Sequence, residues 1–268
     1  MLFTLGRVVL NANWDASRYH RVAQPHATWG TSVLDRLELA GDEVVLDAGC
    51  GSGRVTAQLV ERLPTGKVIA VDQSAAMLAE AKTTLARWES QVTFLEADLL
   101  EIDQLLETPV NVVFSTAVFH WIADHPRLFK ALRGVLQPDG YLVAQCGGAG
   151  NLAEFMRAAD AVAERSPFDP ILHGRDLWRF FYTPEETEAR LLAAGFGRAR
   201  AWLEPSPQHF ADHAALADFC RGVVLTNHVA ALPEPLRADF VTQVVEEVVK
   251  RQGGYTLDYV RLNLDACV

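Results

Sequence analysis

The chain reads as an α/β fold built on a doubly wound, mostly parallel sheet. Three observations lead there. Short apolar runs, Val44-Val45-Leu46, Val68-Ile69-Ala70-Val71 and the run from Val110 to Ser115, recur between stretches of helical pattern. The first run ends in Asp47 and a loop of alternating glycines, Gly49, Gly51 and Gly53. The second ends in Asp72, about 20 residues beyond those glycines, the spacing at which a carboxylate grips ribose hydroxyls in a nucleotide-binding βαβ unit. Strands alternating with helices at this spacing require crossovers, hence a parallel sheet covered on both faces. Continuous apolar runs suit strands buried on both sides.

Taken in order, Asn13 to Gly30 is polar and aromatic, and Ser32 to Leu39 is amphipathic and predicts a helix leading in. Strand Val44 to Asp47 precedes helix Arg54 to Leu63, and strand Lys67 to Asp72 precedes helix Ala75 to Trp88. Strands Val92 to Glu96 and Val110 to Ser115 follow, then helix Leu128 to Leu136 and strand Tyr141 to Cys146. Gly147-Gly148-Ala149-Gly150 reads as a flexible turn. Beyond it Leu152 to Glu164 is helical in pattern, while Ser166 to Tyr182 has no clear period. Pro184 opens a helix that runs to Ala194, with Gly195 placed to end it. Arg198 to Leu203 suits a strand, Ala214 to Asn227 and Pro235 to Arg251 suit helices, and Tyr255 to Ala266 suits a final strand.

At 268 residues and 50% hydrophobic content the chain can bury a substantial core. Its net charge is −10, and it has no basic run of the kind that neutralises phosphates, which argues against nucleic-acid substrates. The four cysteines, Cys50, Cys146, Cys220 and Cys267, are too scattered for a disulfide framework and form no Cys-x-x-Cys pair, so no metal site is expected. Cys50 lies inside the glycine loop and reads as a small filler. Met1 to Leu10 is apolar but lacks a signal-peptide layout, and no apolar run reaches ~18 residues. The expectation is a cytoplasmic protein, monomer or homodimer, that touches neither membrane nor nucleic acid. There is no internal repeat or low-complexity tract.

The dinucleotide fingerprint Gly-x-Gly-x-x-Gly/Ala fails here because Arg54 fills its sixth position, which disfavours a nicotinamide oxidoreductase. The segment from Asp47 to Gly53 instead resembles motif I of the class I S-adenosylmethionine-dependent methyltransferases. Asp72-Gln73-Ser74-Ala75-Ala76-Met77 resembles that family's second strand end, and Glu96-Ala97-Asp98-Leu99 its third. Ser115-Thr116-Ala117 resembles the segment after strand 4, and Leu136 to Tyr141 the turn before strand 5. The resemblance implies a Rossmann-like, seven-stranded, mostly parallel sheet with an antiparallel last strand. It also implies a helical N-terminal lid and C-terminal cap helices. Residues 1–40 would form the lid and lead-in, 41–150 the cofactor-binding core, and 151–268 the cap helices and the rest of the sheet. Asp47, Gly49, Cys50, Gly51, Gly53, Asp72, Gln73, Met77, Asp98, Leu99, Ser115 and Thr116 would line the cofactor. Asp72 would take the ribose, and Asp98 with the Leu99 backbone the adenine.

Two further stretches resemble the small-molecule methyltransferases close to trans-aconitate methyltransferase. They are Trp14-Asp15-Ala16-Ser17-Arg18-Tyr19 and Val118 to His125. The first would act as a lid, with Trp14, Tyr19 and Trp29 sealing the site. In the second, His120 stands where that group commonly carries Gln. His120 is the candidate catalytic residue, as general base, substrate donor or loop-orienting residue. Phe119 reads as core, and Trp121 as packing the loop beside the site. An acidic substrate would need cations, and Arg175, Arg179 and His173 are candidates, with surface salt bridges the competing reading. A carboxylate nucleophile is already ionised and needs no base, whereas a phenol, thiol or carbon acid gains from one. The leading expectation is O-methylation of a small-molecule carboxylate. The alternatives are a natural-product O-, N- or C-methyltransferase with His120 as base, and a binding protein without turnover.

Overall fold

The computed structural model describes residues 24–268. Within them the chain forms two compact units. Of the described residues, one contains 24–151, 179–206 and 259–268; the other contains 152–178 and 207–258.

The first unit is built on a seven-stranded sheet of order β3-β2-β1-β4-β5-β9-β6. Its strands are β1 (Val44–Ala48), β2 (Lys67–Asp72), β3 (Val92–Glu96), β4 (Val110–Thr116), β5 (Leu136–Gly147), β6 (Arg198–Pro205) and β9 (Val260–Cys267). Strands β1 to β5 are parallel, and β9 lies antiparallel between β5 and β6. Strand order reverses between β1 and β4, the switch point at whose carboxyl edge open α/β sheets bind ligands.

Alternate residues of each strand enter two cores. Val45, Val68, Val112, Phe114 and Val143 pack one face under α1 (Gln24–Leu34), α2 (Arg54–Val60) and α3 (Ala75–Thr84). Leu46, Val113, Leu142 and Ala144 pack the other under α4 (Ile102–Leu105), α5 (His125–Gly134) and α8 (Pro184–Ala193). Local signals set the ends of these helices. Ser74 caps α3, Asp124 caps α5, and Thr183 with Glu186 forms a capping box on α8 just ahead of Pro184.

Several elements differ from the sequence expectation. The lead-in helix ends at Leu34, not Leu39. Its contact face is Gly30, Val33 and Leu34, and a Cβ on Gly30 would lie 2.5 Å from Val55 of α2. The carbonyl of Leu34 accepts from the Arg62 guanidinium and from Leu37 N–H, which closes the helix. A 3₁₀ turn and α4 follow β3 where no helix was expected, because Asp98 accepts from Leu100 N–H and starts the turn. Gly147 and Gly148 are buried, with Gly147 the last residue of β5 and not part of a loose turn.

The second unit contains α6 (Ala153–Ala163), α7 (Asp169–Leu172), α9 (His213–Phe219), α10 (Thr226–Ala231), α11 (Glu234–Gln252) and the antiparallel pair of β7 (Gln208–His209) with β8 (Thr256–Leu257). The expected helix from Ala214 to Asn227 is interrupted by a π turn at Cys220–Val224. Aromatic rings hold the interior: Phe168 meets Phe240 at 5.1 Å, and Trp178 meets His228 at 4.5 Å. Asp258 caps α6 by accepting from Glu154 and Phe155 N–H. None of the described helices is long and apolar enough to cross a membrane.

Candidate active site

The carboxyl ends of β1, β2 and β4 form one connected structure. After β1 the chain turns through Gly49 and Gly51, at φ +89° and +54°. The Val71 carbonyl accepts from both Gly49 and Cys50 N–H, which straps the loop to β2. Asp72 at the end of β2 holds the next turn. Its Oδ2 accepts from Gly51 N–H at 3.0 Å and its Oδ1 from Ser74 N–H at 2.9 Å. Asp72 remains partly exposed. Burial pushes its carboxyl above the usual range, with the Ser74, Gly51 and Gln73 backbone bonds pulling it back.

Asp47 points inward. Its Oδ2 accepts from the Thr56 hydroxyl of α2 at 2.6 Å, tying the strand end to the helix behind the loop. Burial first, and repulsion from Asp72 second, push its carboxyl up to about 7. Burial and the same two carboxylates raise the Cys50 thiol, which stays protonated and fills space as expected. The partly exposed Asp72 carboxylate at this sheet edge makes a field that favours a cationic ligand. S-adenosylmethionine carries a sulfonium, so the donor set suits it.

Space at the loop agrees with that ligand. A Cβ on Gly51 would meet nothing within 4 Å, so the backbone there faces an open approach. Gly49 is different, since its Cβ would lie 2.2 Å from Val118 Cγ2. Its smallness admits the segment after β4. Ser115 is 1% exposed and donates to the Ala48 carbonyl at 2.7 Å, locking β4 to β1. Thr116 is half-buried at the strand end, and Ala117 turns the chain at φ +59° with its N–H on the Gln145 carbonyl. At the other rim Asp98 is exposed, the Leu99 side chain is in the core, Met77 is buried and Gln73 is exposed.

His120 is 8% exposed on the 3₁₀ turn Phe119–Trp121. Its Nδ1 accepts from the Gly147 N–H at 3.2 Å. A backbone N–H can only donate, so the neutral ring carries its proton on Nε2. Trp121 is half-buried, and the Arg179 guanidinium lies over its ring at 3.7 Å. The Phe180 N–H donates to the His120 carbonyl, which brings Arg179 and Phe181 to this turn. Trp29 is 7% exposed; its Nε1–H donates to Ser206, and Arg261 lies 4.3 Å above its ring. Arg175 and His173 are exposed residues of the second unit, and His173 Nδ1 lies 3.2 Å from Asp169. Trp14 and Tyr19 lie outside the described residues. Among the described residues no His, Cys, Asp and Glu group could hold a metal ion.

Sequence reasoning missed four residues that build this region: Thr56, Val118, Gly147 and Arg261. Thr56 stands three residues past Gly53 and could have been suspected as the partner of a buried Asp. The other three depend on strand pairing and close packing that no local pattern announces.

Comparisons with known proteins agree with the geometry. Residues 45–140 match a methyltransferase domain family. The chain is 30% identical over 256 residues to a trans-aconitate 2-methyltransferase of Variovorax paradoxus, covering 93% of this chain and 96% of that protein. It is 28% identical to the enzyme of the same name from Yersinia pseudotuberculosis, covering 91% and 92%. Among solved structures it is similar to the YcgJ protein of Bacillus subtilis, with a TM-score of 0.63 at 15% identity, covering 90% and 98%. It is also similar to a Haemonchus contortus phosphoethanolamine N-methyltransferase bound to S-adenosyl-L-methionine, with a TM-score of 0.58 at 19% identity, covering 94% and 56%. The glycine loop, the two strand-end acids and the relatives matched along almost the whole length lead to one conclusion: the chain belongs to the class I S-adenosylmethionine-dependent methyltransferases, in the family that includes the trans-aconitate 2-methyltransferases.

Proposed function

We propose that this small-molecule methyltransferase esterifies a carboxylate. The observation that carries the reading is the bond from Gly147 N–H to His120 Nδ1. It makes Nδ1 an acceptor and so puts the neutral ring's proton on Nε2, a ring set up to donate to an oxygen and not to remove a proton. A carboxylate is ionised at neutral pH and asks for nothing more. A Gln side chain offers the same pair, with Oε1 accepting and Nε2–H donating. That matches the residue the resembling group commonly carries here. For His120 to act as a base toward a phenol or carbon acid, the Gly147 bond would first have to break.

S-adenosylmethionine supplies a methyl group already activated on sulfur, so the protein's tasks are placement and exclusion of water. In this reading Asp72 holds the ribose and Asp98 the adenine. Arg179, flattened on Trp121 one residue from His120, supplies the positive charge that a carboxylate requires in a half-buried setting. Trp29 closes the side of the site near β9. The names of the relatives favour trans-aconitate as the first substrate to try.

The test is direct. The purified protein is incubated with S-adenosylmethionine and a panel of di- and tricarboxylic acids, trans-aconitate included, beside phenols and amines. Mass spectrometry should find a monomethyl ester with stoichiometric S-adenosylhomocysteine. Product from the phenols alone would overturn the reading.

A further inference from the structure

The turn that carries His120 is held from behind by a second histidine. His125, the first residue of α5, is 1% exposed. Its Nε2 lies 2.9 Å from the Phe119 carbonyl oxygen. A carbonyl can only accept, so Nε2 carries a proton and donates it. That carbonyl belongs to the peptide joining Phe119 to His120. The next carbonyl, that of His120 itself, accepts from Phe180 N–H at 2.9 Å. Two donors from outside the turn therefore fix the two peptide planes that flank the His120 Cα.

The His125 ring is fixed in turn. It meets the Tyr182 ring at 4.4 Å and the Phe129 ring at 5.1 Å. The Tyr182 hydroxyl donates to the Ala123 carbonyl at 3.2 Å, and the Tyr182 carbonyl accepts from Ala149 N–H at 2.9 Å. Burial pushes the His125 pKa down to about 4, so the ring is neutral and one nitrogen alone bears a proton. The other, Nδ1, is buried and has no hydrogen-bond partner among the described residues. Packing does not explain this choice of residue. Phenylalanine would fill the same aromatic slot and bring no buried nitrogen with it. The Phe119 carbonyl would still accept from Ile122 N–H at 3.0 Å. What phenylalanine lacks is the Nε2–H.

We propose that His125 is a positioning residue for the methyl transfer: its Nε2–H, on the Phe119 carbonyl, sets the tilt of the peptide before His120 and so aims the His120 Nε2–H at the substrate oxygen. His125 acts only through the turn. This rests on the reading of His120 as the donor to substrate, and it adds what orients that donor. A donor aimed by rigid surroundings needs no reorientation in the transition state, and a small misplacement of such a group lowers the rate strongly.

The test uses the full-length protein with S-adenosylhomocysteine bound and its histidine rings labelled with nitrogen-15. His125→Phe keeps the ring and removes the donor. His125→Gln removes the ring and keeps an amide donor at the reach of Nε2. In His125→Phe the His120 Nδ1 resonance should move toward that of a nitrogen that accepts no bond, and in His125→Gln it should stay at its wild-type position. With S-adenosylmethionine and trans-aconitate, His125→Phe should lower kcat by about ten- to a hundredfold while KM for S-adenosylmethionine stays within about twofold, and His125→Gln should recover most of the loss. The His125→Phe protein should melt within a few degrees of wild type. His125→Asn, whose amide is too short to reach Phe119, carries the test if His125→Phe does not fold. An unchanged His120 resonance, an unchanged kcat, or a loss that His125→Gln does not recover overturns the proposal. If wild type forms methyl esters and the resonance does not move, only the His125 assignment fails. If the resonance moves as expected but wild type methylates no carboxylic acid, the carboxylate reading fails and the positioning of His120 stands.

Discussion

Gly49 makes room for Val118. The missing Cβ of Gly49 is the space in which the Val118 methyls sit, 2.2 Å from where that atom would be. The glycine loop after β1 and the turn that carries His120 therefore pack as one body. Gly51, two residues on, faces open space instead.

The two glycines should fail differently. Gly49→Ala forces Val118 outward at a φ of +89°, so it should lose stability and turnover together. Adding Val118→Ala should restore part of both. Gly51→Ala fits the space at a tolerable φ and should melt within a few degrees of wild type while binding S-adenosylmethionine more weakly. Chemical denaturation beside calorimetry separates the cases. Equal losses in both variants would mean that the distinction is wrong.

Asp72→Ala should weaken S-adenosylmethionine by about tenfold or more, since charge-assisted hydrogen bonds contribute roughly 1.5–3 kcal/mol each. The effect has two sources, because Asp72 also holds Gly51 N–H in place. Asp72→Asn keeps one acceptor oxygen and should fall between wild type and alanine. Unchanged affinity in a folded alanine variant would remove Asp72 from the site.

Asp47 should make the protein less stable as pH rises. Its folded carboxyl titrates near 7, against an ordinary value of 3.8. Below about pH 4 both states hold the proton and the group is neutral for stability. Between about 4 and 7 the unfolded chain releases its proton while the folded chain keeps it, so the fold loses ground through that window. Asp47→Asn keeps an acceptor for Thr56 and removes the titration. It should melt several degrees above wild type at about pH 8 and level with it near pH 4. A gap of the same size at both pH values would contradict the burial argument.

Arg179 and Arg175 were equal candidates on the page of the sequence, and they should now part. Arg179→Gln removes the cation on Trp121 and should raise KM for a carboxylate substrate by roughly ten- to a hundredfold with a smaller change in kcat. Arg175→Gln changes an exposed residue and should be silent. Steady-state kinetics on the two variants decides it, and silence at Arg179 would leave the carboxylate without its proposed cation.

The sheet was legible because its signals are local and periodic. Short apolar runs, each closed by an acid or a turn, marked all five parallel strands, and an acid followed each of the first three. The lead-in helix was misread because its packing face rests on Gly30, which carries no hydrophobic signal, while Leu37 and Leu39 beyond its end extend the apolar pattern. The role of Gly147 was hidden because three glycines in four residues look loose in sequence. In three dimensions its N–H is the anchor of His120, and a Cβ there would strike Phe181 at 2.6 Å. Arg261 was one residue of a plausible strand. Only the register of β9 against β5 puts it beside the site.

The central claim is that His120 accepts from Gly147 and donates to the substrate, and the measurement closest to it is the pH–rate profile of His120→Gln against wild type on a carboxylic acid. Glutamine reproduces both bonds, so the variant should keep kcat within about tenfold, with both profiles flat from about pH 6.5 to 8.5. His120→Leu leaves the buried Gly147 N–H without its acceptor and should cost about 1–3 kcal/mol of stability along with the activity. A loss of about 10²–10⁴ in His120→Gln, with a wild-type rate that climbs as the imidazole deprotonates, would make His120 a general base and contradict the account.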